Sequence, residues 1–113
     1  MQLETQTRPQ VLSVVVMEDR IDAASAIQFK ERMRELTQTD DQRVVLDLSQ
    51  VLFLDSSGLG AIVAVKKLLG PDRVLEISGL TPAVKKVFHL TRMDTIFTIH
   101  HTPPDALSHD AAS

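Results

Sequence analysis

The chain has 113 residues, of which 43% are apolar and 24% charged, with a net charge of −3. That size and balance fit one globular domain, and the lack of a basic stripe gives nucleic acid no electrostatic footing. With no cysteine, disulfides, zinc-thiolate sites and cysteine nucleophiles are excluded, and four Phe without Trp or Tyr leave no stacking platform for bases or sugars.

The N-terminus, MQLETQTRPQ, is polar and lacks a signal-peptide core, and no apolar run is long enough to span a bilayer. The expectation is therefore a cytoplasmic protein. Residues 3 to 8 alternate weakly and read as an edge strand, punctuated by Pro9 and Gln10. The valine-rich stretch from Val11 to Met17 reads as a second strand, paired with the first as a hairpin. Asp22 is a candidate helix cap, and Ala26, Phe29, Met33 and Leu36 then recur at helical spacing, predicting an amphipathic helix over residues 23 to 38.

Arg43 to Leu48 is apolar on nearly every position, as in a central strand covered on both faces. The turn DSSGLG, residues 55 to 60, follows, and then a helix that Gly70 and Pro71 end. Arg73 to Ile77 is a further strand. Thr81 and Pro82 open a third helix with Val84, Val87 and Phe88 inside, and Thr95 to Ile99 is a last strand. The expected fold class is α/β, a single domain over residues 1–101 in the order ββαβαβαβ. Its sheet is mixed but largely parallel, with the hairpin at one edge. Residues 102–113 read as a polar tail with at most a helical turn from Pro104 to Ser108.

The paired serine in DSSGLG admits two readings. Serine is a favoured helix N-cap and glycine is common in turns, which makes the stretch plain structure. Alternatively, the turn stands at the carboxyl end of a strand, the usual functional edge of an open α/β sheet, and it opens a helix whose first N–H groups favour an anion. A phosphoserine there would place its charge where it is well tolerated, and Gly58 and Gly60 would let another protein approach the backbone.

A nucleophile elbow needs glycine two residues on either side of the serine, and neither Ser56 nor Ser57 has that. Ser57, Asp72 or Asp94, and His100 occur in a triad-like order, a pattern common by chance. There is no phosphate-binding Gly-Lys-Ser/Thr and no third glycine of a dinucleotide fingerprint. His89, His100, His101 and His109 match no metal-ligand spacing. No metal, no cofactor and no enzymatic activity are expected. On the helix after the turn, Ala61, Ile62, Val65, Leu68 and Leu69 cluster as the core side. Leu59 and Val63 fall on another side, either beneath the neighbouring helix or as a partner-binding patch beside the serines.

The stretch VVLDLSQVLFLDSSGLGAIVAVKK resembles the signature of the STAS domain, in particular the stand-alone bacterial anti-sigma factor antagonists. RIDAASA (20 to 26) and ISGLTPAVKKVFHLTRMDTIFTI (77 to 99) resemble the first helix opening and the third helix with the last strand of that family, so the resemblance spans about residues 10 to 100. It implies a partner-switching regulator. The unphosphorylated protein binds an anti-sigma factor that is also a serine kinase and so frees a sigma factor; phosphorylation of Ser57 ends the contact, and a phosphatase resets it. Ser56 aligns with the neighbouring serine or threonine, and Asp22 with an acidic residue beside the site. Asp22, Asp55, Ser56, Ser57, Gly58, Leu59 and Val63 are thus the candidate partner-binding residues. The family usually has glycine where this chain has Asp19. The same resemblance leaves open an accessory role in a lipid or organic-solvent ABC transport system or in a stressosome-like assembly. A small serine hydrolase is the remaining alternative.

Overall fold

The computed structural model describes residues 1–101; the expectations for the tail, including His109, fall outside them. β1 (Leu3–Arg8) and β2 (Val11–Val16) form an antiparallel hairpin closed by Pro9 and Gln10, where Gln10 takes a positive φ of 64°. β3 (Arg20–Ile21) precedes α1 (Ala26–Leu36), and β4 (Arg43–Asp47) and β5 (Phe53–Leu54) lead into α2 (Ser56–Leu69). β6 (Val74–Ser78), α3 (Pro82–Leu90), a 3-10 turn (Met93–Thr95) and β7 (Thr98–His100) complete the order.

The main sheet runs β1-β2-β4-β6-β7, parallel except for β1 at the edge, as the sequence predicts. Strand alternation divides its two faces. Leu12, Val14 and Val16 of β2, Val44 and Leu46 of β4, and Leu75 and Ile77 of β6 point to one side. There they share a core with Phe29 and Met33 of α1, Ile62 and Val65 of α2, and Val84 and Phe88 of α3. Phe88 meets Phe97 edge-on at 5.9 Å. The opposite side carries Ser13, Val45, Asp47, Glu76 and Ser78, all buried. Arg43 grips Glu76 with two hydrogen bonds, Nε to Oε2 at 2.6 Å and Nη2 to Oε1 at 2.9 Å, and His100 Nε2 lies 2.5 Å from the same Oε1. Burial pushes the Glu76 carboxyl up, but the hydrogen bonds from Arg43 and His100 outweigh it and leave the carboxyl below its ordinary value.

Four expectations need correction. α1 begins at Ala26 because the Asp22 carboxylate takes the Ala24 and Ser25 N–H groups, holding residues 22–25 in a capped turn ahead of it. α2 begins at Ser56, one turn before the apolar pattern becomes visible. β7 begins at Thr98, since the 3-10 turn consumes Met93–Thr95 after Arg92 in a left-handed conformation. Leu68, placed on the core side by the helical wheel, is 48% exposed. Thr81 and Pro82 do open α3, though the Thr81 hydroxyl donates to the Val51 carbonyl at 2.7 Å and ties the helix start to the loop before β5.

Candidate functional site

The turn at residues 55–58 is held by its aspartate. Asp55 is the N-cap of α2: its Oδ1 accepts from the Gly58 N–H at 2.8 Å, and its carbonyl accepts from Leu59. Its other oxygen, Oδ2, accepts from the Ala23 N–H at 3.2 Å, so one carboxylate ties the start of α2 to the turn before α1. The two serines are therefore not the cap. They occupy the first two helical positions, and both side chains are exposed. Among the described residues neither hydroxyl has a hydrogen-bond partner within the chain, and the Ser56 and Ser57 N–H groups remain available in the first turn.

Gly58 is fixed by close approach. A Cβ there would stand 2.1 Å from the Ile21 carbonyl oxygen and 2.8 Å from Leu54 Cδ1, because β3 and β5 pass directly beneath the helix start. That two-stranded ladder, Arg20↔Phe53 and Ile21↔Leu54, sets the depth at which α2 begins. At Gly60, by contrast, a Cβ would meet nothing within 4 Å.

Asp22 stands in the neighbouring turn. Burial raises its pKa, but hydrogen bonds from the Ser25 hydroxyl, the Ser25 N–H and the Ala24 N–H, together with the Arg20 charge, hold it below the ordinary carboxylate value. Arg20 lies 3.5 Å from Asp22 and 3.9 Å from Asp19, with its guanidinium 5.4 Å from the centroid of the Phe53 ring. Asp19 adopts an ordinary negative φ, so this backbone position does not require the family's glycine. Its carbonyl accepts from the Leu52 and Phe53 N–H groups.

The structure separates the two hydroxyls that the sequence presents as a pair. Ser56, Gly60, Val63 and Lys67 line a cavity of about 480 Å³ between α2 and α3, with Val87 and Met93 opposite. Leu59 is only 8% exposed there and belongs to the core, so the neighbouring helix covers it; Val63 is half-buried at the edge. Ser57 lies about 100° further round α2, on the side facing α1. Asp22, Asp55, Ser56, Ser57 and Gly58 are thus gathered at one end of the two helices, with Val63 lower on α2 and Leu59 beneath. Sequence reasoning missed Arg20 and the half-exposed Phe53 beside this end, although both fall inside or next to the quoted motifs.

The remaining candidates lie apart. The His100 ring nitrogen is engaged by Glu76 and Asp94 by His89, while Ser57 bonds to neither aspartate of the triad-like order. Among the described residues no group of three or more histidine, aspartate or glutamate side chains could hold a metal ion, and no helix is long and apolar enough to cross a membrane.

The sequence profile of the STAS domain matches residues 2–106. The anti-sigma-F factor antagonist RsfB of Mycobacterium tuberculosis is 27% identical over 97 residues, which cover 86% of this chain and 80% of that protein. The crystal structure of an anti-sigma factor antagonist from Mycobacterium paratuberculosis superposes with a TM-score of 0.82 at 28% identity, covering 96% of this chain and 92% of the other. The Bacillus cell fate determinant SpoIIAA in its phosphorylated form shares the fold, with a TM-score of 0.67 at 15% identity and coverage of 96% and 98%.

Proposed function

The chain belongs to the STAS domain family, among the anti-sigma factor antagonists, and from that premise we propose that it is a phosphorylation-switched partner protein. Unphosphorylated, it binds an anti-sigma factor that is also a serine kinase and so releases a sigma factor. Phosphorylation of Ser57 ends the contact, and a phosphatase restores it. The chain itself carries out no catalysis. The observation that supports this most directly is the pair of exposed serine hydroxyls with no structural task, on a backbone already fixed by Asp55 and Gly58. A kinase can take the Ser57 hydroxyl without disturbing the helix start. The relatives named as anti-sigma factor antagonists, and a phosphorylated form of one fold relative, support the same reading.

The physics of the switch is local. A phosphate adds about −1.5 to −2 charge beside Asp55 and Asp22, and burying it against a partner without waiting cations is costly. Arg20 is already shared between Asp19 and Asp22, so it offers little free charge to neutralise a phosphate. Asp19 adds a further carboxylate to this end of the domain, which adds to the repulsion on a phosphate at Ser57. The test is affinity capture from the native cell followed by incubation of this chain with the recovered kinase and ATP. Intact mass should rise by one phosphate and Ser57→Ala should prevent it. Full phosphorylation of Ser57→Ala would refute the assignment, and recovery of a transporter ATPase instead of a kinase would refute the pathway.

A further inference from the structure

On α2, Ala64 and Leu68 each fall within about 20° of Ser57 at 100° per residue, so one stripe runs from the serine down the flank facing α1. On α1, Ile27, Lys30, Glu31 and Arg34 face the same groove, whose volume is about 330 Å³. Its two ends are apolar and open: Ile27 is 66% exposed and Leu68 48%. Ile27 is in the first turn of α1, whose preceding turn is bonded to Asp55 through Ala23, so the Ile27 end of the groove lies toward the Ser57 end of the domain. The charges on its rim run against the rest of the protein. Among the described residues Lys30 and Arg34 form no ion pair, whereas Arg32 is engaged by Glu35 and Arg43 by Glu76. With Glu31 the rim carries a net positive charge on a chain whose total is −3.

We infer that this α1–α2 groove is the second half of the partner-binding surface, and that it receives an apolar segment of the anti-sigma factor flanked by acidic side chains. Aliphatic side chains of the segment fill the space between Ile27 and Leu68, and its carboxylates meet Lys30 and Arg34. Ser57 then stands at the edge of a contact that extends along α1, so that docking presents the serine to the kinase. The inference rests on the proposed anti-sigma reading. It moves the contact from the Leu59 and Val63 flank, where α3 already covers much of the apolar surface, to the opposite flank of α2.

The experiment uses the kinase-type anti-sigma factor recovered by the capture above, purified and titrated calorimetrically with the full chain. Ile27→Glu and Leu68→Glu should each weaken binding about tenfold or more, as expected for apolar anchors. Lys30→Glu combined with Arg34→Glu should weaken it most at low salt. Both apolar positions are solvent-facing, and glutamate in the first turn of α1 suits the helix dipole, so Ile27→Glu should keep the wild-type thermal midpoint. Val63→Glu serves as the variant on the other flank. If wild type binds and the groove variants bind equally well, the groove assignment is overturned while the anti-sigma reading stands. If wild type binds no such factor, both fall.

Discussion

Two glycines two residues apart on the same helix should respond to alanine in opposite directions. Helix propensity alone favours both replacements, since glycine in a helix interior is about 0.8–1 kcal/mol less favourable than alanine. At Gly60 nothing opposes this: the added Cβ meets no atom within 4 Å, and Gly60→Ala should stabilise by roughly that amount. At Gly58 the Cβ would lie 2.1 Å from the Ile21 carbonyl oxygen, a backbone atom held by the β3–β5 ladder. Relief requires α2 to lift from β3, with loss of the Asp55 cap bond or of packing on Leu54. Overpacking of this kind costs about 1–3 kcal/mol, occasionally more, and the propensity gain cancels only part of it. Gly58→Ala is therefore expected to be destabilised by up to about 2 kcal/mol after that offset. For a chain of this length, 1 kcal/mol corresponds to about 4 °C in the midpoint of thermal unfolding. Urea titration followed by circular dichroism reads both variants against wild type. A Gly58→Ala protein as stable as Gly60→Ala would refute the close approach and the claim that β3 sets the helix start.

The capping assignment predicts a second contrast. Asp55→Ala should cost about 1–2 kcal/mol through loss of the cap and of the tie to Ala23, whereas Ser57→Ala should stay within about 0.5 kcal/mol, both read by urea denaturation. The Glu76 cluster predicts a pH dependence. Because its folded pKa is lowered, the stability it contributes is present above the ordinary carboxylate value of 4.5 and is lost as pH falls below that toward the folded pKa. Glu76→Gln should cost about 1–3 kcal/mol at neutral pH and flatten the loss of stability in acid; a wild-type slope unchanged by the substitution would remove Glu76 as its source.

The valine-rich strands, the helical spacing of Phe29 and Met33 and the Thr81–Pro82 start were legible because each is a pattern repeated over several residues. What was not legible depends on single contacts across the chain. β3 and β5 are two residues each, too short for any periodicity, yet they determine why Gly58 must be glycine. A serine cap stands as one reading of the sequence because Asp, Ser and Ser follow in succession and all three favour that position. Only the Asp55–Gly58 bond distinguishes them, and its consequence is functional: a serine that is not the cap is free to be modified. Leu68 was misplaced because a wheel gives angles on one helix and says nothing about how far the neighbouring helix reaches. The bond from Ala23 to Asp55 across 32 residues, which sets the Asp22 turn against the start of α2, is likewise a property of the fold.

These contacts also determine where a phosphate on Ser57 would act. Within the domain it would gain about 0.3–1 kcal/mol from the helix N-terminus, up to about 2 in favourable geometry. Repulsion from Asp55 and Asp22 works against that gain, at about 1 kcal/mol per pair of unit charges 4 Å apart in water and less when further screened. The two effects oppose one another and screening limits their difference, so the phosphorylated domain should unfold within about 8 °C of the unmodified one. At a protein interface of ordinary size the same charge loses its water, and an effective penalty of several kcal/mol per buried ion has no cancelling partner. Under the proposed function the switch would then operate on association while the domain keeps its shape. Differential scanning calorimetry of the phosphorylated and unmodified forms decides it. A fall of more than about 8 °C on phosphorylation would mean that the phosphate acts by loosening the start of α2, and the rigid-surface account would be wrong.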